Sequence, residues 1–208
     1  AVQFGGGAPA LVLDNPISSE LTTMRPSLLP GLLAAAARNL ARGISPVDLF
    51  EVGPVFLGDG PQGENVHAAL VRAGARAKGW EKQTPHAGVF DVKRDVLALL
   101  AELMAPQGLQ EADEGPTWYH PGRCGVLRLG PKNPIAYFGE IHPQLLKKFD
   151  LRGPVIAAEI LIENIPEARS KGPMRAGLET SDLMALTRDF AFVIDGGVKA
   201  FDLVRAAR

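Results

Sequence analysis

The feature that most constrains this 208-residue chain is a pair of β-favouring runs on either side of a glycine-flanked turn. Val47 to Phe56 reads VDLFEVGPVF, the turn is Leu57-Gly58-Asp59-Gly60, and a second run extends from Val66 to Ala73. Branched and aromatic residues around such a turn specify an antiparallel hairpin. A hairpin alone is marginal in water, so other elements must cover it. Two helical stripes supply them. Leu29, Leu32, Leu33, Ala36 and Leu40 recur at helical spacing, with Ser27 as the expected N-cap, Pro30 in the first turn and Gly43 as the stop after Arg42. Val92, Val96, Leu99, Leu100 and Leu103 form the second stripe, opened by Asp91 as N-cap and ended by Pro106 and Gly108.

More strands are expected at Leu11 to Leu13, in GVLRLG from Gly125 and PIAYFGEI across the Pro131-Lys132-Asn133-Pro134 turn, and in VIAAEILI from Val155 to Ile162. A short helix, Pro143 to Phe149, has Pro at its first position. Strands outnumber helices and hairpins dominate, which predicts an α+β fold: an antiparallel sheet flanked by helices. Residues 1–165 form this module. Residues 166–186, polar and carrying Pro166, Gly172, Pro173 and Gly177, read as a linker, in which Gly172 to Glu179 is a loop rather than a phosphate cradle. In residues 187–208, RDFAFVID reads as a strand and KAFDLVRAAR as an amphipathic helix. One βα unit falls below the roughly 40 residues at which domains stand alone, so it is expected to be the truncated start of a second domain.

With 22 Lys plus Arg against 23 Asp plus Glu, the net charge is −1 and no like-charge block occurs. That argues against this piece gripping RNA alone, since phosphate binding needs clustered cations. No apolar run reaches the roughly 18 residues of a membrane span, and the start lacks a secretory pattern. Cys124 is the sole cysteine, which fits a reducing, cytoplasmic setting. The absence of an initial Met and the end at Arg208 suggest an excised fragment.

Chemistry-bearing residues are sparse. His67, His86, His120 and His142 lie apart at no metal-ligand spacing, and the last two precede prolines where an imidazole can cap backbone groups. Cys124 reads as inert packing in a strand, and Glu111, Asp113 and Glu114 as a solvated acidic loop. Neither GxGxxG nor GxxxxGK followed by Ser or Thr is present, and Gly5-Gly6-Gly7 follows no strand. The residues alone therefore define no catalytic, cofactor-binding or metal-binding set.

One stretch carries more. NPISSELTTMRPSLLPGLLAAAARNLARG followed by VDLFEVGPVF resembles the core of class II aminoacyl-tRNA synthetases, in which an Arg-Pro helix leads into a strand ending in Phe. More narrowly, it is similar to the catalytic-like module of bacterial phenylalanyl-tRNA synthetase β subunits. HPGR at His120 to Arg123, GEIHPQLLKKFDL at Gly139 to Leu151, and RDFAFVID agree with that family, where the last opens a ferredoxin-like anticodon-binding domain. The resemblance implies a scaffold for an α subunit in an α2β2 complex that uses ATP and magnesium to charge tRNA(Phe) with phenylalanine, neither cofactor being held by this fragment.

In catalytic members the Phe is followed by an arginine and a glutamate, because charge building on the ATP α-phosphate needs a fixed guanidinium. Here Phe56 is followed by Leu57-Gly58-Asp59-Gly60, and VIAAEILIENIP, where a second arginine would be expected, holds neither Gly nor Arg. Losing one such donor typically costs about a hundredfold to a thousandfold in rate. The resemblance thus implies an inactive module with partner-interface residues at Arg25, Arg38 and Arg42. An apolar stripe explains internal packing of the Ser27 to Arg42 helix as well as an interface, so both remain open at this point. Competing readings are a free-standing class II-type amino-acid-activating enzyme and a regulatory paralogue binding a small amino acid. An uncovered partner surface would also let the isolated fragment self-associate.

Overall fold

A computed structural model describes residues 2–19, 21–76, 86–106, 108–167 and 180–207. The chain divides into two compact units, Ala1–Arg169 and Ser170–Arg208. In the first, α1 (Leu29–Ala41) leads to the hairpin β1 (Val47–Phe56) and β2 (Glu64–Ala73), followed by α2 (Val89–Glu102), β3 (Gln110–Ala112), β4 (Tyr119–Arg128), β5 (Pro134–Ile141), α3 (Pro143–Lys148) and β6 (Val155–Leu161). The six strands form one antiparallel sheet in the order β1-β2-β6-β5-β4-β3. The hairpin is in full register from Val47↔Ala73 to Phe56↔Glu64.

Alternation along the strands sorts the core onto two faces. Ala69, Val71, Val155 and Ala157 point toward α1 and pack with Leu28, Leu29, Leu32, Leu33 and Ala36. Ala68, Ile156, Ala158 and Ile160 point the other way and pack with Val92, Val96 and Leu100 of α2. Because β6 lies inside the sheet with a helix over each face, its sequence is an almost unbroken apolar run.

Several local expectations need correction. Leu11 to Leu13 is not a strand: a 3₁₀ turn spans Pro9–Leu11 and only the bridge Val12↔Thr23 follows. Leu28, not Ser27, holds the N-cap position of α1, yet the Ser27 hydroxyl still accepts from the Leu29 N–H at 3.1 Å. The acidic loop is instead partly β3, with Glu111 gripped by Lys93 at 2.6 Å and Glu114 paired with Arg128. Residues 168–179, which include most of the expected linker and the Gly172 to Glu179 loop, lie outside the described residues.

In the second unit, α4 (Ala200–Ala207) forms where a helix is expected. The RDFAFVID segment is not in a strand. A strand exists through the ladder it shares with a neighbour, and the described residues of this unit contain no strand with which RDFAFVID could pair.

Asp91 sits two residues inside α2 rather than at its cap, and there accepts the Gly88 N–H at 2.8 Å. That hydrogen bond, aided by Arg76 and Arg94 and opposed by partial burial, holds its carboxyl below the ordinary 3.8. A depressed folded-state pKa gives stability that is complete above the unfolded-state value and is lost as pH falls through the folded one. Asp91→Asn is therefore expected to cost about 1 kcal/mol at neutral pH. In urea titrations run as a pH series, wild type and variant should converge once pH has fallen through the depressed pKa of Asp91. A gap that persists there would show that charge is not the source of the effect.

Candidate functional site

Two places bear on the chemistry expected from the resemblance and on the buried polar groups: the β1–β2 turn, and the sheet face under α1 where Ser27, His67 and Glu159 are buried. The turn is closed by main chain. The Leu57 N–H donates to Gly63 O at 2.8 Å and the Gly63 N–H to Gly60 O at 3.0 Å. A Cβ at Gly63 would lie 2.2 Å from Gly58 O, so the approach of these two glycines admits no side chain. Leu57 and Asp59 project into solvent. Neither offers a donor to a phosphate, and Asp59 repels one. Arg25 lies beside the hairpin but is already engaged. Its Nε donates to Pro54 O at 2.8 Å, its guanidinium pairs with Glu51, and its own carbonyl accepts the Phe56 N–H. The turn does not fit ATP or its magnesium.

On the sheet face, three elements meet at one carboxylate. Glu159, in the middle of β6, accepts the Ser27 hydroxyl at Oε2 (2.8 Å) and the Leu28 N–H at Oε1 (3.1 Å). His67 Nδ1 of β2 faces the same Oε1 at 3.1 Å. Ser27, His67 and Glu159 are all buried, and this network ties the start of α1 to β2 and β6. Both oxygens of the carboxylate are thereby occupied. Beside it, Tyr119 is fully buried, and burial first, then the Glu159 charge, push its phenol well above its ordinary range. Phe4 covers this part of the core with Trp118 and Phe149, at ring-centroid distances of 5.6 and 6.4 Å. What remains is a packed face on which the Tyr119 hydroxyl and Trp118 Nε1 are buried without a hydrogen-bond partner.

Sequence reasoning took His67 as structural and overlooked its partner. The available signal was Glu159 itself, a charge inside a buried apolar strand, which must be paired. The other histidines make local contacts with backbone groups. His120 and His142 accept backbone N–H groups of Gly122 and Gln144 at 3.1 and 3.2 Å, and His86 lies 3.1 Å from Gly74 O. His120 and His142 are less separate than their spacing suggests, since their rings stack at 6.5 Å. No group of three or more potential metal ligands occurs among the described residues. Cys124 has its thiol pushed up by burial, and the adjacent Arg123 is taken by Glu140 at 2.8 Å.

The three interface candidates are not brought together. Arg25 precedes α1, whereas Arg38 and Arg42 are exposed near its other end, and a 13-residue helix is about 20 Å long.

The comparisons place this architecture first at the level of fold. The chain superposes on a pyrrolysyl-tRNA synthetase of Desulfitobacterium hafniense, "PylSc", with a TM-score of 0.53 at 19% identity, covering 74% of this chain and 50% of that one. An antiparallel sheet with flanking helices of the class II synthetase kind is therefore the fold. Residues 3–162 match the family described as "Phenylalanyl tRNA synthetase beta chain CLM domain", and the chain belongs to that family. It is 48% identical over 207 residues to a phenylalanine–tRNA ligase beta subunit of Cereibacter sphaeroides and 49% identical over 211 residues to one of Paramagnetospirillum magneticum. These matches cover 99% and 100% of this chain but 26% of each relative. The chain thus spans about a quarter of the length of the curated relatives it matches. No helix among the described residues is long and apolar enough to cross a membrane.

Proposed function

We propose that this chain is a non-catalytic, assembly-forming module of the β subunit of phenylalanine–tRNA ligase. It supports the ATP-dependent charging of tRNA(Phe) that the α subunit performs, in a cytoplasmic α2β2 complex, and its second unit begins a ferredoxin-like anticodon-binding domain. The observation that carries the reading is the β1–β2 turn, where Leu57 and Asp59 stand in place of a cation and Arg25 is bound to its own chain. Glu159 supports it, because the most buried carboxylate of the sheet is consumed in fixing α1. Of the interface candidates, Arg38 and Arg42 are exposed and form no ion pair among the described residues, whereas Arg25 would have to surrender its hydrogen bonds.

The test is phenylalanine-dependent pyrophosphate exchange by the full β subunit, alone and with α. Exchange is expected only with α, and micromolar ATP binding or exchange by β alone would overturn the reading in favour of an independent activating enzyme. A melting screen with the twenty amino acids separates the regulatory alternative. A ligand at a hundred times its Kd would stabilise the chain by about 2.7 kcal/mol, and no such shift is expected.

A further inference from the structure

Phe4 is buried although almost nothing around it in the chain is. It ends a single 3₁₀ turn, Val2–Phe4, and is followed by Gly5-Gly6-Gly7; it is 3% exposed, whereas Val2 is 75% exposed. Among the described residues, no backbone group of residues 2–7 hydrogen-bonds outside that segment. The Phe4 ring is therefore what holds the turn to the core. It lies against Trp118, tilted by 38°, and edge-on to Phe149, the arrangements in which aromatic rings attract. Gly5 and Gly7, with φ of +81° and +117°, give the link behind it a backbone that only glycine adopts without strain.

The box that Phe4 fills has a polar corner with no partner. Trp118 also meets Tyr119, with ring centroids 6.4 Å apart. Trp118 Nε1 and the Tyr119 hydroxyl are both buried, and neither makes a hydrogen bond among the described residues. Nε1 can only donate, so turning it onto the phenol would still leave the Tyr119 O–H without an acceptor. Glu159 is close enough for its charge to act on Tyr119, yet its oxygens are engaged by Ser27, Leu28 and His67. Packing explains the Phe4 ring. It does not explain two donors left beside that ring without an acceptor, a rare and costly state for buried polar atoms.

We infer that Phe4 is the built-in occupant of an aromatic-ligand pocket on the sheet face under α1, and that an uncharged aromatic molecule with an oxygen acceptor next to its ring binds there when the Phe4 ring is out. The ligand's ring takes the place between Trp118 and Phe149, and its oxygen accepts from Tyr119 and Trp118, which phenylalanine's hydrocarbon side chain cannot do. A free amino acid fits poorly, because its ammonium and carboxylate would be buried without partners. The pocket's own occupant also explains why no amino acid is expected to shift the melting of the unaltered chain. The inference goes beyond the assembly reading and does not depend on it.

The experiment uses the full-length β subunit, purified without α, and two probes followed by ¹⁹F NMR titration: 4-fluorobenzyl alcohol and 4-fluorotoluene. Wild type should show no saturable shift with either. Phe4→Gly empties an aromatic-lined space of the kind that takes up small aromatic molecules. It should bind the alcohol with a millimolar Kd, about fivefold more tightly than the toluene, the difference one hydrogen bond makes. Adding Tyr119→Phe should lower that preference. Phe4→Leu vacates only part of the ring's volume and should give the same order of affinities, so the test stands even where Phe4→Gly does not fold. Leu100→Ala opens the core on the α2 face, where no polar atom is orphaned among the described residues, and should give the alcohol no advantage. Wild-type binding as tight as that of the Phe4 variants overturns the inference, since Phe4 then does not fill the site. Folded Phe4 variants that bind neither probe overturn it as well, as do equal affinities for the two probes or a preference that Tyr119→Phe leaves untouched. Pyrophosphate exchange by β alone removes the assembly reading and leaves this inference standing.

Discussion

Glu159→Leu is expected to lower stability by about 3–4 kcal/mol, or roughly 10 °C in melting temperature for a chain of this size. The loss does not come from packing. Leucine is similar in volume and belongs in a strand in which Val155, Ile156, Ala157, Ala158 and Ile160 are all buried. It comes from donors left behind. Without the carboxylate, the Leu28 N–H and the His67 ring lose an acceptor that stands 3.1 Å from each, and the Ser27 hydroxyl loses one at 2.8 Å. Burial keeps water from replacing it, at about 1–3 kcal/mol for each orphaned group. Glu159→Gln should cost only about 1 kcal/mol, since the amide oxygen still accepts and Ser27 Oγ can receive the amide N–H. Adding His67→Leu to Glu159→Leu should recover part of the loss, because removing both partners of a buried polar pair is far less costly than removing one. Thermal and urea unfolding of the three variants supply the comparison. If Glu159→Leu proves neutral, the network does not hold α1 to the sheet.

How far the sequence revealed this molecule depends on whether each feature is written in one segment or in two. The β1–β2 hairpin, α1, α2, α3, β5 and β6 are legible because period and punctuation lie within each segment. Tyr119 to Arg123, the first half of β4, escaped because its register to β5 is irregular and the segment carries Pro121 and Gly122. β3 escaped for a related reason: three polar-flanked residues have no period, and only pairing with β4 makes them a strand. RDFAFVID shows the converse, a β pattern with no ladder among the described residues. The buried network joins positions 27, 67 and 159, so its geometry cannot be read locally, although a lone Glu in VIAAEILI announces that a partner must exist. That the turn after Phe56 offers Leu57 and Asp59 rather than a cation was readable because it depends only on which side chains are present. The juxtaposition of Arg38 and Arg152 was not readable, because the two come to one groove only through the fold.

Gly139→Ala should be the most damaging glycine substitution in the sheet interior, at about 3 kcal/mol or more. A Cβ at this position would sit 2.6 Å from Cys124 Cβ and 2.7 Å from both Arg123 O and Cys124 Cα. Two of those three atoms belong to the β4 main chain, so no rotamer change relieves the contact. β5 cannot retreat either. Gly139 is paired with Cys124 on one side and Ala157 of β6 on the other, and β6 is clamped between the helices of both faces. The contact falls where the β4–β5 register shifts between Tyr119 and Cys124, which explains why the two backbones approach so closely here. Overpacking a core by one methyl commonly costs about 1–3 kcal/mol, and a clash with main chain in an inner strand belongs at or above the top of that range. Gly130→Ala is the matched control: it has φ +77° but nothing within 4 Å of the added Cβ, so it should lose only about 1 kcal/mol of backbone strain. Urea midpoints for the two variants decide the matter, since equal losses would mean that the added methyl finds room between β4 and β5.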